Sequence, residues 1–110
     1  MRQKGDRGEV IAVQYLQEKG YHILARNFHA RIGEIDIIAK DKECLVFVEV
    51  KNYDSTSIHP LEVMTPSKMK RFRKAAEIYL YRQALQDIDC RFDLIVVSKD
   101  QVSHQYCLDN

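Results

Sequence analysis

Two β-rich runs that carry charged residues constrain this chain of 110 residues more than any other feature. Residues 34–39 and 44–51 are dominated by Ile, Val, Leu and Phe, whereas residues 40–43 between them are all charged. Apolar runs of this length separated by a short polar segment predict a β-hairpin. The fold is therefore expected to be built around a sheet.

The charged residues inside these runs fall on defined faces, because side chains alternate along a strand. Asp36 shares a face with Ile38, and Glu49 shares a face with Lys51. A turn of two or four residues places Asp36 and Glu49 on the same side of the sheet, whereas a turn of three residues does not. The sequence leaves this register open.

The rest of the chain supplies helices and further strands. Thr65 is a suitable N-cap for a long helix that starts at Pro66, and residues 91–97 are nearly continuously apolar, as a buried parallel strand requires. The predicted elements are a helix over 6–19, strands over 21–25, 34–39 and 44–51, a helix over 66–85, a strand over 91–97 and a candidate edge strand over 102–108. The order αβββαβ predicts the α/β fold class, a mixed sheet flanked by helices, in a single domain over residues 1–110.

Composition excludes several classes of protein. Hydrophobic residues make up 45% and charged residues 30%, as in soluble domains, and no stretch approaches the roughly 18 apolar residues of a membrane span. The three cysteines, Cys44, Cys90 and Cys107, are odd in number and widely spaced. This pattern favours a reducing compartment over a disulfide framework or a zinc site. We therefore expect a cytoplasmic protein with no membrane partner.

Positive charge is unevenly distributed, although the net charge is +1. Residues 1–31 and 61–86, which contain the predicted helices, are basic, and the strand regions between and after them are acidic. The clearest cluster opens the second helix and includes Lys68, Lys70, Arg71 and Lys74. Such a cluster predicts contact with a nucleic-acid backbone. A solvated helix face is the alternative that the sequence leaves open.

Asp36, followed thirteen residues later by Glu49, with Lys51 close behind, is the group best suited to chemistry. Two carboxylates on neighbouring strands can hold Mg²⁺ or Mn²⁺ and leave other coordination positions for water and a phosphate. Lys51 on the same face can orient the water or stabilise the charge of the reacting phosphate. The Val50 carbonyl is a further candidate ligand, and Glu9, on the inward stripe of the first helix, is a candidate third carboxylate.

A structural ion pair is the competing interpretation. Glu49 and Lys51 interrupt an otherwise apolar strand, and burial of an unpaired carboxylate is costly. A pair of Lys51 with Glu49 or with Asp36 would satisfy that carboxylate without any catalysis. The residues alone leave the metal site and the ion pair open.

Four other polar residues are explained without chemistry. Glu34 shares the face of Asp36 and is a weak ligand candidate, but it lies at a strand start, where solvation explains it equally well. Asp93 is expected to tie the last core strand to a neighbouring element. Tyr53 and His59, in the polar loop over 52–60, are candidates for substrate contact that loop polarity explains equally well.

Ordered motifs extend along nearly the whole chain. They are Gly8-Glu9 with Ala12 and Tyr15-Leu16, Gly20-Tyr21, Arg26-Asn27, Gly33 to Ile38, Val46 to Lys51, Lys68, Ala75-Ala76, Tyr79-Leu80 and Arg91 to Asp93, within residues 4–97. Together they resemble the YraN family of uncharacterised bacterial proteins. The resemblance implies the restriction-endonuclease-like PD-(D/E)XK fold, similar to archaeal Holliday-junction resolvases, with Glu9, Asp36 and Glu49 as metal ligands. It also implies Lys51 as the catalytic lysine, and Asn52 departs from the Arg that the family commonly has next.

The motifs and the resemblance favour a Mg²⁺- or Mn²⁺-dependent endonuclease that hydrolyses phosphodiester bonds in DNA, at branched or otherwise structured sites. A homodimer fits this interpretation, because a junction must be cut twice. A nucleic-acid-binding module without turnover is the first alternative, and it predicts binding that survives EDTA. An interaction protein with a structural ion pair is the second, and it predicts low stability for Lys51→Ala and no nucleic-acid binding.

Overall fold

A computed structural model describes residues 3–53, 60–99 and 101–108, in which five strands form one sheet. The elements are α1 (Gln3–Glu18), β1 (His22–Ala30), β2 (Gly33–Asp41), β3 (Cys44–Asn52), α2 (Pro60–Val63), α3 (Pro66–Arg82), β4 (Asp89–Ser98) and β5 (Gln101–Gln105). The strands lie in the order β1-β2-β3-β4-β5, with β3 and β4 parallel and the other neighbours antiparallel. The expected α/β architecture, a mixed sheet flanked by helices, is therefore confirmed.

The parallel pair β3 and β4 explains the pattern of the most apolar segments. Parallel neighbours must be joined by a crossover connection, which here contains α2 and α3. Strands in this position are covered on both faces, which is why β4 is a continuous apolar run from Leu94 to Val97.

The two long helices cover opposite faces of the sheet, because the adjacent residues Ile37 and Ile38 belong to different apolar clusters. The α3-side cluster includes Met69, Phe72, Tyr79, Ile38, Phe47 and Leu94. The α1-side cluster includes Ala12, Leu16, Ile37, Val48 and Ile95. Each helix buries one stripe of its surface, and no helix of the described residues has the length and apolar character needed to cross a membrane.

A two-residue turn joins β2 and β3 and decides the register that the sequence left open. Lys42 and Glu43 form the turn, and Lys42 adopts a left-handed φ of 56°. Ile38 lies opposite Phe47, and both side chains pack in the α3-side cluster. Residues that lie opposite each other on β2 and β3 therefore point to the same face of the sheet, as expected for a two-residue turn.

Several predicted boundaries differ from the structure. β1 covers His22–Ala30 rather than 21–25, because the polar residues that follow still pair with β2. α3 ends at Arg82, three residues earlier than predicted, and the chain turns at Ala84 with φ 54°. α1 begins three residues earlier, and β5 ends three residues earlier, than predicted. The short helix α2 begins at the end of the predicted loop, of which residues 54–59 lie outside the described part.

Candidate active site

Asp36 lies where β2 and β3 separate. Their pairing ends at Ile37 opposite Val48, and beyond it the Val50 N–H donates to Asp36 Oδ2 at 2.8 Å. The Asp36 carboxylate therefore takes the place of a main-chain acceptor for this N–H. The hydrogen bond fixes the orientation of an acid that is 7% exposed.

A backbone irregularity lies at this position. Ile35 and Ile38 pack in the same cluster although they are three residues apart, so the strand alternation is broken between them. Asn27 on β1 adopts a left-handed φ of 55° and falls at the register position across from Asp36. Among the described residues, Asn27 Oδ1 is the one buried side-chain polar atom without a hydrogen-bond partner. The strand next to Asp36 thus carries a buried amide oxygen that can still accept a hydrogen bond.

Glu49 is contacted by two lysines. Lys51 Nζ lies 3.7 Å and Lys68 Nζ lies 3.6 Å from Glu49 Oε2. The Glu49–Lys51 pair that strand parity allowed is present. The contact of Lys68 was missed, since the basic cluster predicted a surface role for this residue. The available signal was its spacing four residues before the buried Phe72.

The electrostatic environment of Glu49 remains unfavourable for a charged carboxylate. Burial and, next, the charge of Asp36 raise the pKa of Glu49 to about 7, and Lys68 and Lys51 offset part of that rise. The side-chain hydrogen bond with Lys68 raises the pKa of Lys51, whereas burial lowers the pKa of Lys68. Near neutral pH the cluster therefore contains an acid that exchanges its proton readily, as functional sites often do.

Glu9 approaches the sheet from α1. It is 1% exposed, and Arg26 Nη2 donates to its Oε1 at 3.1 Å. The neighbouring Gly8 packs against Asn52, since a Cβ at Gly8 would lie 3.2 Å from Asn52 Cγ. Glu9 thus lies near the end of β3, and its role as a third metal ligand stays a prediction. Within the described residues, no three His, Cys, Asp or Glu side chains form a group that could hold a metal ion.

The other residues of the predicted basic cluster face solvent. Lys70, Arg71 and Lys74 are exposed on α3, and we call them the basic face. Gly33, the first residue of β2, packs on this helix, since an added Cβ would lie 3.0 Å from the Arg71 carbonyl oxygen. The predicted basic cluster therefore divides into two parts: Lys68, which contacts Glu49, and the basic face beside it.

Three minor expectations concern residues outside this site. Glu34 is half exposed and pairs with His29 at 3.2 Å, as expected of a solvated acid. Tyr53 is exposed at the end of β3, where its N–H donates to the Val97 carbonyl at 3.0 Å. His59 lies outside the described residues.

A second polar cluster ties β4 to β5 and α1. Asp93 is fully buried and accepts hydrogen bonds from Arg91 Nε at 3.1 Å and from the Cys107 N–H at 3.0 Å. His104 Nε2 lies 2.8 Å from Asp93 Oδ2, and His104 Nδ1 lies 2.9 Å from the Tyr15 hydroxyl. The expectation that Asp93 ties its strand to neighbours is confirmed. Its β5 partner was missed, because the contact depends on the chain end folding back.

The fold and the acid–lysine cluster define a small α/β protein with a buried acidic site where two strands of a mixed sheet separate. The chain belongs to Uncharacterised protein family UPF0102, whose family model matches residues 8–97. This membership agrees with the resemblance to YraN-like proteins. The matched range contains every residue of the site: Glu9, Asp36, Glu49, Lys51 and Lys68.

Relatives of this family match most of the chain. A UPF0102 protein of Chlorobium phaeobacteroides is 50% identical over 94 residues, which are 84% of this chain and 75% of the relative. UPF0102 proteins of Persephonella marina and Clostridium botulinum are 41% and 42% identical, over 92% and 93% of this chain and 88% and 85% of the relatives. The similarity therefore extends through the strands and helices that carry the site.

Proposed function

We propose that this protein is a metal-dependent endonuclease of the restriction-endonuclease-like superfamily that hydrolyses phosphodiester bonds in DNA, at branched or structured sites. The observation that carries the proposal is the pair of buried carboxylates, Asp36 and Glu49, beside Lys51 where β2 and β3 separate. These residues are the ones that the resemblance to PD-(D/E)XK proteins implies as two metal ligands and a catalytic lysine.

The residues of the site fit Mg²⁺ or Mn²⁺. Mg²⁺ is commonly held by one or two carboxylates and completes its coordination with water and substrate phosphate oxygens. Asp36 and Glu49 supply two carboxylates, and the buried Asn27 Oδ1, without a partner among the described residues, belongs to the same class of donor. A divalent cation bound there would supply positive charge to the reacting phosphate.

The raised pKa of Glu49 favours a metal site over a purely structural ion pair. In a structural pair, neighbouring lysines lower the pKa of a carboxylate, because they stabilise its charged form. Here burial and the charge of Asp36 raise the pKa of Glu49 to about 7, although two ammonium groups lie 3.7 and 3.6 Å away. The two lysines thus do not bring the pKa of Glu49 back to its ordinary value, as expected of a site that takes up a further cation.

Each side chain has a defined task in the proposed reaction. The Val50 N–H holds Asp36 in one orientation, so this ligand is in place before substrate arrives. Lys51, whose pKa is raised by its contacts with Lys68 and Glu49, stays protonated at neutral pH. It can orient the attacking water, in line with the leaving oxygen, and stabilise the negative charge of the pentavalent phosphate.

The basic face of α3 supports a nucleic acid as the substrate. The basic face lies on α3, whose first turn also places Lys68 beside Glu49. A nucleic-acid backbone that follows α3 therefore passes Asp36 and Glu49. Contacts of this kind predict binding that weakens as salt rises. A homodimer is part of the proposal for branched DNA, because two strands must be cut.

A DNA-cleavage assay tests the proposal. Linear and branched duplexes are incubated in Mg²⁺ or Mn²⁺ with the wild type, Glu49→Gln and Glu77→Gln, where Glu77 is an exposed acid on α3 and serves as the matched control. The wild type and Glu77→Gln are expected to cleave, EDTA to abolish cleavage, and Glu49→Gln to lose about 100-fold or more. No cleavage by the wild type, or equal cleavage by Glu49→Gln, contradicts the proposal.

A nucleic-acid-binding module without turnover is the second candidate. It is favoured by the two lysines already paired with Glu49 and by the lack of a three-ligand metal group within the described residues. It predicts DNA binding that persists in EDTA and in Glu49→Gln, with no cleavage products. Weakened binding by Lys70→Ala, together with an inactive wild type, would favour this candidate.

A further inference from the structure

Lys68 belongs to the basic cluster of α3 in sequence but to the acid–lysine site in space. Its Nζ lies 3.6 Å from Glu49 Oε2, and Lys51 Nζ lies 3.7 Å from the same oxygen. The two lysines come from different elements, β3 and α3, and their side chains are 32% and 33% exposed. Two ammonium groups therefore converge on one carboxylate oxygen at a place that solvent reaches.

The local structure of α3 does not explain a lysine at position 68. Lys68 is in the first turn, where its N–H donates to the Oγ1 of the N-cap Thr65 at 3.2 Å. A Glu or Gln at this position would complete a capping box, and a cation near a helix N-terminus is disfavoured by roughly 0.3–1 kcal/mol. The position of the Lys68 side chain is thus set by Glu49 rather than by its own helix.

The charge balance of the site leaves room for an anion. Lys51 and Lys68 bring two positive charges to Glu49. Lys68 lies in the first turn of α3, so the positive N-terminal end of the helix dipole is also near Glu49. If Glu49 and Asp36 hold a cation, as the proposed function requires, both ammonium groups need another negative partner. A phosphodiester has two non-bridging oxygens, which two ammonium groups from different elements can contact at once.

We propose that Lys68 and Lys51 together bind the reacting phosphate, so that Lys68 acts at the reaction centre rather than on the neighbouring backbone. This inference rests on the proposed function, since it names the part of the substrate that this site holds. It separates Lys68 from Lys70, which is two residues further along the same helix and exposed. Lys70 is therefore the matched control.

Side-chain NMR of the lysine ammonium groups tests the inference without any cleavage. The probe is a single-stranded thymidine octanucleotide, titrated at low salt in Ca²⁺ into the wild type, so that a cation can occupy the carboxylates of Asp36 and Glu49. The Nζ signals of Lys51 and Lys68 are expected to shift together and to a greater extent than that of Lys70. Binding without a shift of Lys68, or no binding at all, overturns the inference, whereas the proposed function is decided separately by the cleavage assay.

Kinetics of Lys68→Ala, Lys68→Arg and Lys70→Ala separate a role in the reaction from a role in binding. Lys68→Ala is expected to lower kcat by about 100-fold with little change in KM, and Lys68→Arg to recover part of the activity. Lys70→Ala is expected to raise KM, to reduce its salt dependence and to leave kcat nearly unchanged. Equal effects of both alanine variants, confined to KM in folded proteins, overturn the inference. An inactive wild type overturns the proposed function and with it the role of Lys68 in the reaction, and the NMR titration then decides only whether Lys51 and Lys68 bind a phosphate.

Discussion

Glu49→Gln is expected to stabilise the metal-free protein above neutral pH. Glutamine keeps the size of Glu49 and removes its charge, so the substitution removes the burial penalty and the repulsion from Asp36. Lys51 and Lys68 lose a charged partner, but both side chains are about one-third exposed and keep part of their hydration. The balance therefore favours the neutral side chain.

The magnitude follows from the pKa of Glu49. The pKa of this carboxyl is 4.5 in the unfolded chain and about 7 in the folded protein. Its ionisation in the folded state therefore costs about 3 kcal/mol, at about 1.4 kcal/mol for each unit of pH between the two values. The folded protein binds this proton more tightly than the unfolded chain, so the contribution of Glu49 is most favourable below pH 4.5 and is lost as the pH rises through 7. The pKa of about 7 already includes the attraction of Lys68 and Lys51, so Glu49→Gln should gain up to about 3 kcal/mol at alkaline pH.

Urea unfolding in EDTA, from about pH 5 to about pH 8, measures this difference. The advantage of Glu49→Gln over the wild type should grow with pH, whereas the exposed control Glu77→Gln should show a difference that does not change with pH. A Glu49→Gln variant that is less stable at alkaline pH by about 3 kcal/mol or more, as breaking a buried pair predicts, refutes the reasoning. That result would favour the structural ion pair instead.

Three further predictions concern the surroundings of the site and the second polar cluster. Gly33→Ala should lower the free energy of unfolding by about 1–3 kcal/mol in urea, because the added Cβ would lie 3.0 Å from the Arg71 carbonyl oxygen; an unchanged value contradicts this close packing. Asn27→Gly should leave stability within about 1 kcal/mol, because glycine accepts a φ of 55° and the unpaired oxygen is removed. The Asn27→Gly variant should also bind Mn²⁺ more weakly than the wild type in calorimetry, and an unchanged affinity would show that Asn27 is not a metal ligand. Asp93→Asn should lower stability by about 3 kcal/mol, because the buried carboxylate beside Arg91 is lost, and a thermal unfolding curve that matches the wild type would disprove this.

The strands and the faces of their acids could be predicted, because alternation along a strand is a local signal. Strand parity alone predicts the grouping of Asp36, Glu49 and Lys51, and the two-residue turn gives the register that this prediction needs up to Ile37 and Val48. Parity does not predict the break in alternation between Ile35 and Ile38, where Asp36 lies. The turn length could not be predicted, since four charged residues suit a two-residue or a four-residue turn equally well. Lys42 decides it by adopting a left-handed conformation, which its residue type does not signal.

The contacts of Lys68 and Glu9 could not be predicted, because each depends on how distant elements pack. Lys68 reaches Glu49 only because α3 docks on the sheet with its first turn beside β3. The Glu9–Arg26 pair requires β1 to continue beyond residue 25, where the polar sequence predicts a loop. An edge strand tolerates such polarity, because water can solvate its exposed groups.

Calorimetric titration of Mn²⁺ or Mg²⁺ tests the central claim, that Asp36 and Glu49 form a metal site. The wild type is compared with Asp36→Asn, Glu49→Gln and the control Glu77→Gln, with folding checked by circular dichroism. Binding is expected in the wild type and the control and should be lost in both site variants. Near pH 7 it should also release part of a proton, because the pKa of Glu49 is about 7 and the ligand must be ionised. A wild type that binds no ion, or site variants that bind as the wild type does, would contradict the claim.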